Sequence, residues 1–115
     1  MLIRSQDKTI LLNFSNSTVV YIAKNDKDFV ILSLENGNRY RLGKYSSEAK
    51  AMKVLDMIQE AYEEYKITCT FLTGFTGHRA IVESNDIRVN GFEELIKSFK
   101  KNMVFQMPED LEVEV

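Results

Sequence analysis

The residues best suited to chemistry lie late in the chain. In Thr73-Gly74-Phe75-Thr76-Gly77-His78-Arg79, two glycines, two threonine hydroxyls, an imidazole and a guanidinium fall within seven positions. Glycines let backbone N–H groups approach an anion closely, and His78 and Arg79 add charge-assisted donors that suit phosphate. The run lacks the Gly-x-x-x-x-Gly-Lys-Ser/Thr spacing of a P-loop and does not open a helix, so nucleoside triphosphate and dinucleotide fingerprints do not apply. Its structural reading is a hairpin tip whose glycines take positive φ. Arg39 and Arg41 alternate on one strand face, with Arg4, Arg79 and Arg88 elsewhere. Guanidinium groups grip phosphate bidentately and stack on aromatic rings, so these arginines beside Tyr40, Phe75 or Tyr21 would suit a nucleotide. A solvated sheet face explains Arg39 and Arg41 equally well.

Catalytic and metal chemistry find less support. Cys69 and His78 are the single cysteine and histidine. A thiolate nucleophile needs a base and a third group that orients it, and nothing in the spacing supplies the third. Cys69 in a β-branched, aromatic stretch reads as a small buried hydrophobe. One cysteine and one histidine cannot make a zinc set, and a lone cysteine forms no internal disulfide. We therefore expect no cofactor, no metal and no enzymatic activity.

Charge narrows the partners. The formal charge is −2, but Glu109, Asp110, Glu112 and Glu114 crowd the last eight residues, and the remainder carries +2. That body tolerates an anionic small ligand yet falls far short of the basic stripe that binds duplex nucleic acid. No apolar run reaches membrane-span length, and the first charge comes at Arg4, so a cytoplasmic protein is expected.

The elements that must position these groups follow from patterning. The chain has 115 residues, 44% hydrophobic and 28% charged, with one proline. This is about one domain, taken as residues 1–108, with a loose acidic tail over 109–115. Ile10, Leu12 and Phe14 alternate, as do Val19, Tyr21 and Ala23, then Phe29 to Leu34, then Tyr40 and Leu42, which is period-two strand patterning. Turn residues separate them, and Asn36-Gly37 is the preferred pair of a type I′ hairpin. An antiparallel meander follows, with Arg39 and Arg41 opposite in face to Tyr40 and Leu42. Ser46 or Ser47 caps a helix that Glu48 favours at its positive end, predicted to run to about Lys66. Ala51, Leu55, Ile58, Tyr62 and Tyr65 form its apolar stripe, flanked by Met52 and by Val54 and Ala61. That arc covers about half the circumference, so either later elements or a second protomer must complete its burial.

Beyond the helix, Ile67–Thr73 and Ala80–Val82 predict a second hairpin. Asn90 and Glu93 predict the cap of a short second helix carrying Phe92, Leu95, Ile96 and Phe99. A final strand over Met103–Met107 is stopped by Pro108. The fold class is α+β.

Three segments carry a resemblance: Met1-Leu2-Ile3-Arg4-Ser5-Gln6-Asp7-Lys8, then Leu42-Gly43-Lys44-Tyr45-Ser46-Ser47-Glu48 with Ala51 to Ile58, and Phe105-Gln106-Met107-Pro108-Glu109-Asp110. They resemble a family of small proteins of Gram-positive bacteria and their phages, many of them products of mobile elements. In this chain the stretch from Ile67 to Asn102 looks longer than the family's usual linker. At the level of architecture, an N-terminal antiparallel sheet followed by helices is also similar to the Thoeris anti-defence sponges, which oligomerise and sequester cyclic nucleotide or cyclic ADP-ribose signals. That similarity implies a function class and transfers no ligand residues. It implies a homo-oligomer that captures a nucleotide-derived immune signal; the residues whose own chemistry suits such a ligand are Arg39, Arg41, Gly77, His78, Arg79 and Arg88 for phosphate and Phe75 or Tyr40 for the base. The alternative is a module that binds and modulates a host protein.

Overall fold

A computed structural model describes residues 1–15, 18–75, 94, 97 and 100–115. The chain is α+β. Strands β1 (Leu2–Arg4), β2 (Leu11–Asn13), β3 (Val19–Asn25), β4 (Asp28–Glu35) and β5 (Asn38–Tyr45) precede helix α1 (Glu48–Phe75), strand β6 (Val104–Gln106) and a 3-10 turn, Asp110–Glu112.

The expected meander is present as β3-β4-β5, but the strands form two sheets, and β2 belongs to the other one, ordered β2-β1-β6. There β1 runs antiparallel to β2 and parallel to β6, with Ile3 beside both Leu12 and Phe105. In the meander, Asn36 (φ 51°) and Gly37 (φ 80°) both take positive φ, as a type I′ turn between Glu35 and Asn38 requires. Asn25 and Asp28 close the other two-residue turn.

Helix α1 starts where the sequence places it, because the Ser47 hydroxyl accepts the Lys50 N–H at 3.2 Å. It then runs for 28 residues, about 42 Å, well past Lys66. The strand expected over Ile67–Thr73 is therefore helix. No glycine or proline interrupts residues 48–73, and the Thr70 hydroxyl donates back to the Lys66 carbonyl at 2.9 Å, so the threonine-rich stretch is accommodated within the helix. Ala80–Val82 and the Asn90/Glu93 cap lie outside the described residues, while Glu94, Lys97 and residues 100–103 are helical.

The core joins both sheets to the first half of α1: Ile3, Leu12, Ile31, Leu42, Tyr45, Ala51, Val54 and Ile58 are buried together with Met107 and Val113. The apolar arc of the helix divides accordingly. Val54 and, in part, Ala61 turn inward, whereas Met52 is exposed. Phe14 meets Tyr62 edge-on with centroids 4.8 Å apart, and Tyr62 stacks on Tyr65, so these tyrosines are packing groups.

The acidic tail is not loose. Asp110 Oδ1 accepts the Ser46 N–H at 2.8 Å and its hydroxyl at 3.1 Å, Lys50 Nζ donates to the Asp110 carbonyl at 2.9 Å, and Val113 enters the core. An acidic side chain beside the N-terminal turn of α1 is favoured by the helix dipole. Ser46 thus serves the tail, and Ser47 serves the helix.

Candidate functional site

Among the expected ligand residues, Arg39 and Arg41 are brought together. A bulge between Ile31 and Leu32 in the β4–β5 ladder leaves their parity intact, and both are exposed on the face of the meander that α1 does not cover. Two cross-strand rows build this outer face, Tyr21-Leu32-Arg41 and Val19-Leu34-Arg39. Each runs from an apolar or aromatic residue to an arginine across three strands. Neither arginine is in an ion pair among the described residues, where the cationic partners are Lys44 with Asp28 and Lys50 with Asp110. Tyr40 points to the opposite face and packs against the core. Phe75 is the last residue of α1, and Gly77, His78, Arg79 and Arg88 lie outside the described residues.

Arg41 also borders a hollow of about 390 Å³, lined by Gln6, Asp7, Ile10, Leu42 and Gly43. The segment Ser5-Gln6-Asp7-Lys8-Thr9 shapes its rim. Asp7 Oδ1 accepts the Ser5 hydroxyl at 2.7 Å, the Thr9 hydroxyl at 2.7 Å and the Thr9 N–H at 3.0 Å, while Lys8 takes φ 67°. These donors, the Ser5 hydroxyl foremost, pull the Asp7 carboxyl down to about 2. Its interaction is thus present above the ordinary carboxylate range and fades as pH falls toward 2. In urea titrations at stepped pH, the wild-type midpoint should fall between about pH 4 and pH 2, and Asp7→Asn should lack that component of the slope. The hollow is thus lined by both a cation, Arg41, and a carboxylate, Asp7, that three donors fix in place.

Gln6 closes the free edge of β5 beside this hollow. Its N–H donates to the Leu42 carbonyl at 2.7 Å, its Oε1 accepts the Lys44 N–H at 2.8 Å, and its Nε2 donates to the carbonyls of Lys44 at 3.2 Å and Pro108 at 3.0 Å. The Tyr45 hydroxyl donates to the same Pro108 carbonyl at 2.7 Å, and Gln106 Nε2 donates to the Ser5 carbonyl at 2.9 Å. Three sequence segments far apart in the chain meet in one polar clasp. Sequence reading gave no role to Gln6 or Asp7; the signal for Asp7 was its spacing to Thr9, an Asx turn.

Compared with protein-family models, with curated proteins and with solved structures, the chain matches none. No described helix is long and apolar enough to cross a membrane, and no cluster of metal-ligating side chains occurs among the described residues.

Proposed function

We propose that the chain is a non-enzymatic binding protein of phage or prophage type that sequesters an anionic nucleotide-derived signal, of the cyclic nucleotide or cyclic ADP-ribose class, on the outer face of the meander. The observation that supports this reading is the Arg39–Arg41 pair, two exposed guanidinium groups on one face without an ion-pair partner among the described residues. Tyr21 stands two strands from Arg41, about 10 Å away, a span suited to a base on the ring and phosphate on the guanidinium. The hollow beneath Arg41 would receive the sugar, with Asp7 accepting its hydroxyls.

A second reading has its own support. The same face is open and apolar, with Val19 51% and Leu34 36% exposed, which suits a host protein as partner.

Thermal shift at fixed salt separates the two. A cyclic dinucleotide, cyclic trinucleotide or cyclic ADP-ribose isomer at about 100 times its Kd should raise Tm by several degrees, corresponding to about 2.7 kcal/mol. Arg41→Ala should remove the shift and Arg39→Ala should reduce it, with the unliganded Tm unchanged. If no member of the panel shifts the protein, and a complex with a host protein is lost in Leu34→Asp, the sequestration reading fails and the second stands.

A further inference from the structure

The described strands differ in how their edges are closed. Strands β2 and β6 have three residues each, and the edge of β5 is occupied by Gln6. Strand β3 is different. It has seven residues, pairs with β4 without a bulge from Val19↔Leu34 to Asn25↔Asp28, and no backbone hydrogen bond among the described residues reaches its other side. Its sequence, Val-Val-Tyr-Ile-Ala-Lys-Asn, contains no proline and a single charge. Edge strands in stable monomers are normally blunted by prolines, bulges, charged side chains or a covering element; β3 has no proline and no bulge, and its single charge, Lys24, is exposed near the end of the strand.

We propose that β3 is a self-association edge, and that two copies of the chain pair β3 with β3 antiparallel about a two-fold axis at Ile22 to give one six-stranded sheet. The register follows from the hairpin. Asn25 and Asp28 flank a two-residue turn and so form a hydrogen-bonded pair, and bonded pairs alternate along an antiparallel ladder. Asn25, Ala23, Tyr21 and Val19 therefore direct their backbone groups at β4, while Lys24, Ile22 and Val20 direct theirs outward. Those three positions are symmetric about Ile22, the midpoint of the strand. A second β3 placed there pairs Ile22 with its equivalent and Val20 with Lys24 in both directions, satisfying every outward N–H and C=O of the three residues.

The side chains agree with this occupant. Val20, beside which the second copy's Lys24 would lie, lines an open groove of about 450 Å³ with Phe14, Leu55, Ile58, Gln59 and Tyr62. The aliphatic stem of a lysine covers such apolar surface. Its ammonium would reach the helix surface where Gln59 Nε2 holds the Glu63 carboxylate at 3.3 Å. Lys24 itself is exposed and outside both ion pairs of the described residues. A two-fold axis makes each such contact occur twice.

The test is the mass in solution of the full chain by analytical ultracentrifugation from micromolar to millimolar concentration. A concentration-dependent monomer–dimer equilibrium is expected. Lys24→Pro removes one outward N–H at an exposed edge position where proline is tolerated, so it should keep the wild-type circular dichroism spectrum and weaken dimerisation at least about a hundredfold. Lys24→Glu should weaken it about tenfold, and the double variant Lys24→Glu/Glu63→Lys should restore it. Amide exchange offers an independent reading: in the dimer the N–H groups of Val20, Ile22 and Lys24 gain protection that they lack on dilution. A monomer throughout the range, or a dimer that Lys24→Pro leaves intact without protection of those three amides, would overturn the proposal.

Discussion

Deleting residues 107–115 should leave a chain without a cooperative urea transition. The deletion withdraws Met107 and Val113 from the core, where they are 1% and 4% exposed, and removes the carbonyl of Pro108 from the Tyr45 hydroxyl and Gln6. A buried methionine contributes about 2–5 kcal/mol and a buried valine about 1.5–3 kcal/mol. A buried hydroxyl left without an acceptor costs about 1–3 kcal/mol more. The sum rivals the whole stability of an ordinary domain, about 5–15 kcal/mol. Loss of far-UV signal cooperativity and of near-UV tyrosine signal would report it. A loose tail would instead leave the transition where it was, and that outcome would refute the docked arrangement. Asp110→Ala offers a graded version, lowering stability by about 1–2 kcal/mol through loss of the carboxylate's bonds to Ser46 and its ion pair with Lys50, while the backbone carbonyl keeps its bond from Lys50.

The second large effect centres on Tyr45, fully buried at the end of β5. Tyr45→Ala should cost about 3–5 kcal/mol, since the aromatic ring leaves a cavity that its neighbours cannot fill. Tyr45→Phe should cost only about 1 kcal/mol, because the Pro108 carbonyl keeps the bond from Gln6. The two variants separate further at high pH. Burial first, and then the carboxylates of Glu109, Asp110 and Glu112, push the Tyr45 hydroxyl well above its ordinary value of 10.0. The unfolded chain therefore ionises this group first, and wild-type stability should fall as pH rises past 10, a slope that Tyr45→Phe lacks. Coupling to Gly43 provides a check on the packing. A Cβ at Gly43 would sit 3.1 Å from Tyr45 Cε2 and Oη and 3.3 Å from Met107 Cε. Gly43→Ala should then destabilise the wild type but be close to neutral in the Tyr45→Ala background. Additive effects in a thermodynamic cycle would contradict the contact.

What could be read from the sequence was whatever local chemistry decides. Asn36-Gly37 specifies its own turn, Ser47 its own cap, and the parity of Arg39 and Arg41 follows from the hairpin they continue. What could not be read depends on partners distant in the chain. Three residues, Leu2–Arg4, carry too little periodicity to announce a strand, and their neighbour β6 begins at Val104. Thr68, Cys69, Thr70 and Phe71 have the composition of a strand, but an uninterrupted helix of 28 residues overrides that preference. Asp110 looks like part of a solvated acidic end until Ser46 and Lys50 are placed beside it. Of the candidate site, Arg39 and Arg41 were legible because strand parity set them on one face. Gln6 escaped because a side chain that replaces ladder hydrogen bonds leaves no pattern in its own neighbourhood.

The parallel pairing of Leu2 with Val104 also has a temporal side. During synthesis at about 5–20 residues per second, the β3-β4-β5 meander can close on itself as it is made, whereas β1, the first strand to emerge, must wait about 5–20 seconds for its last neighbour. Nucleation should therefore belong to the meander, and the sheet that contains the first residues should be the last to assemble.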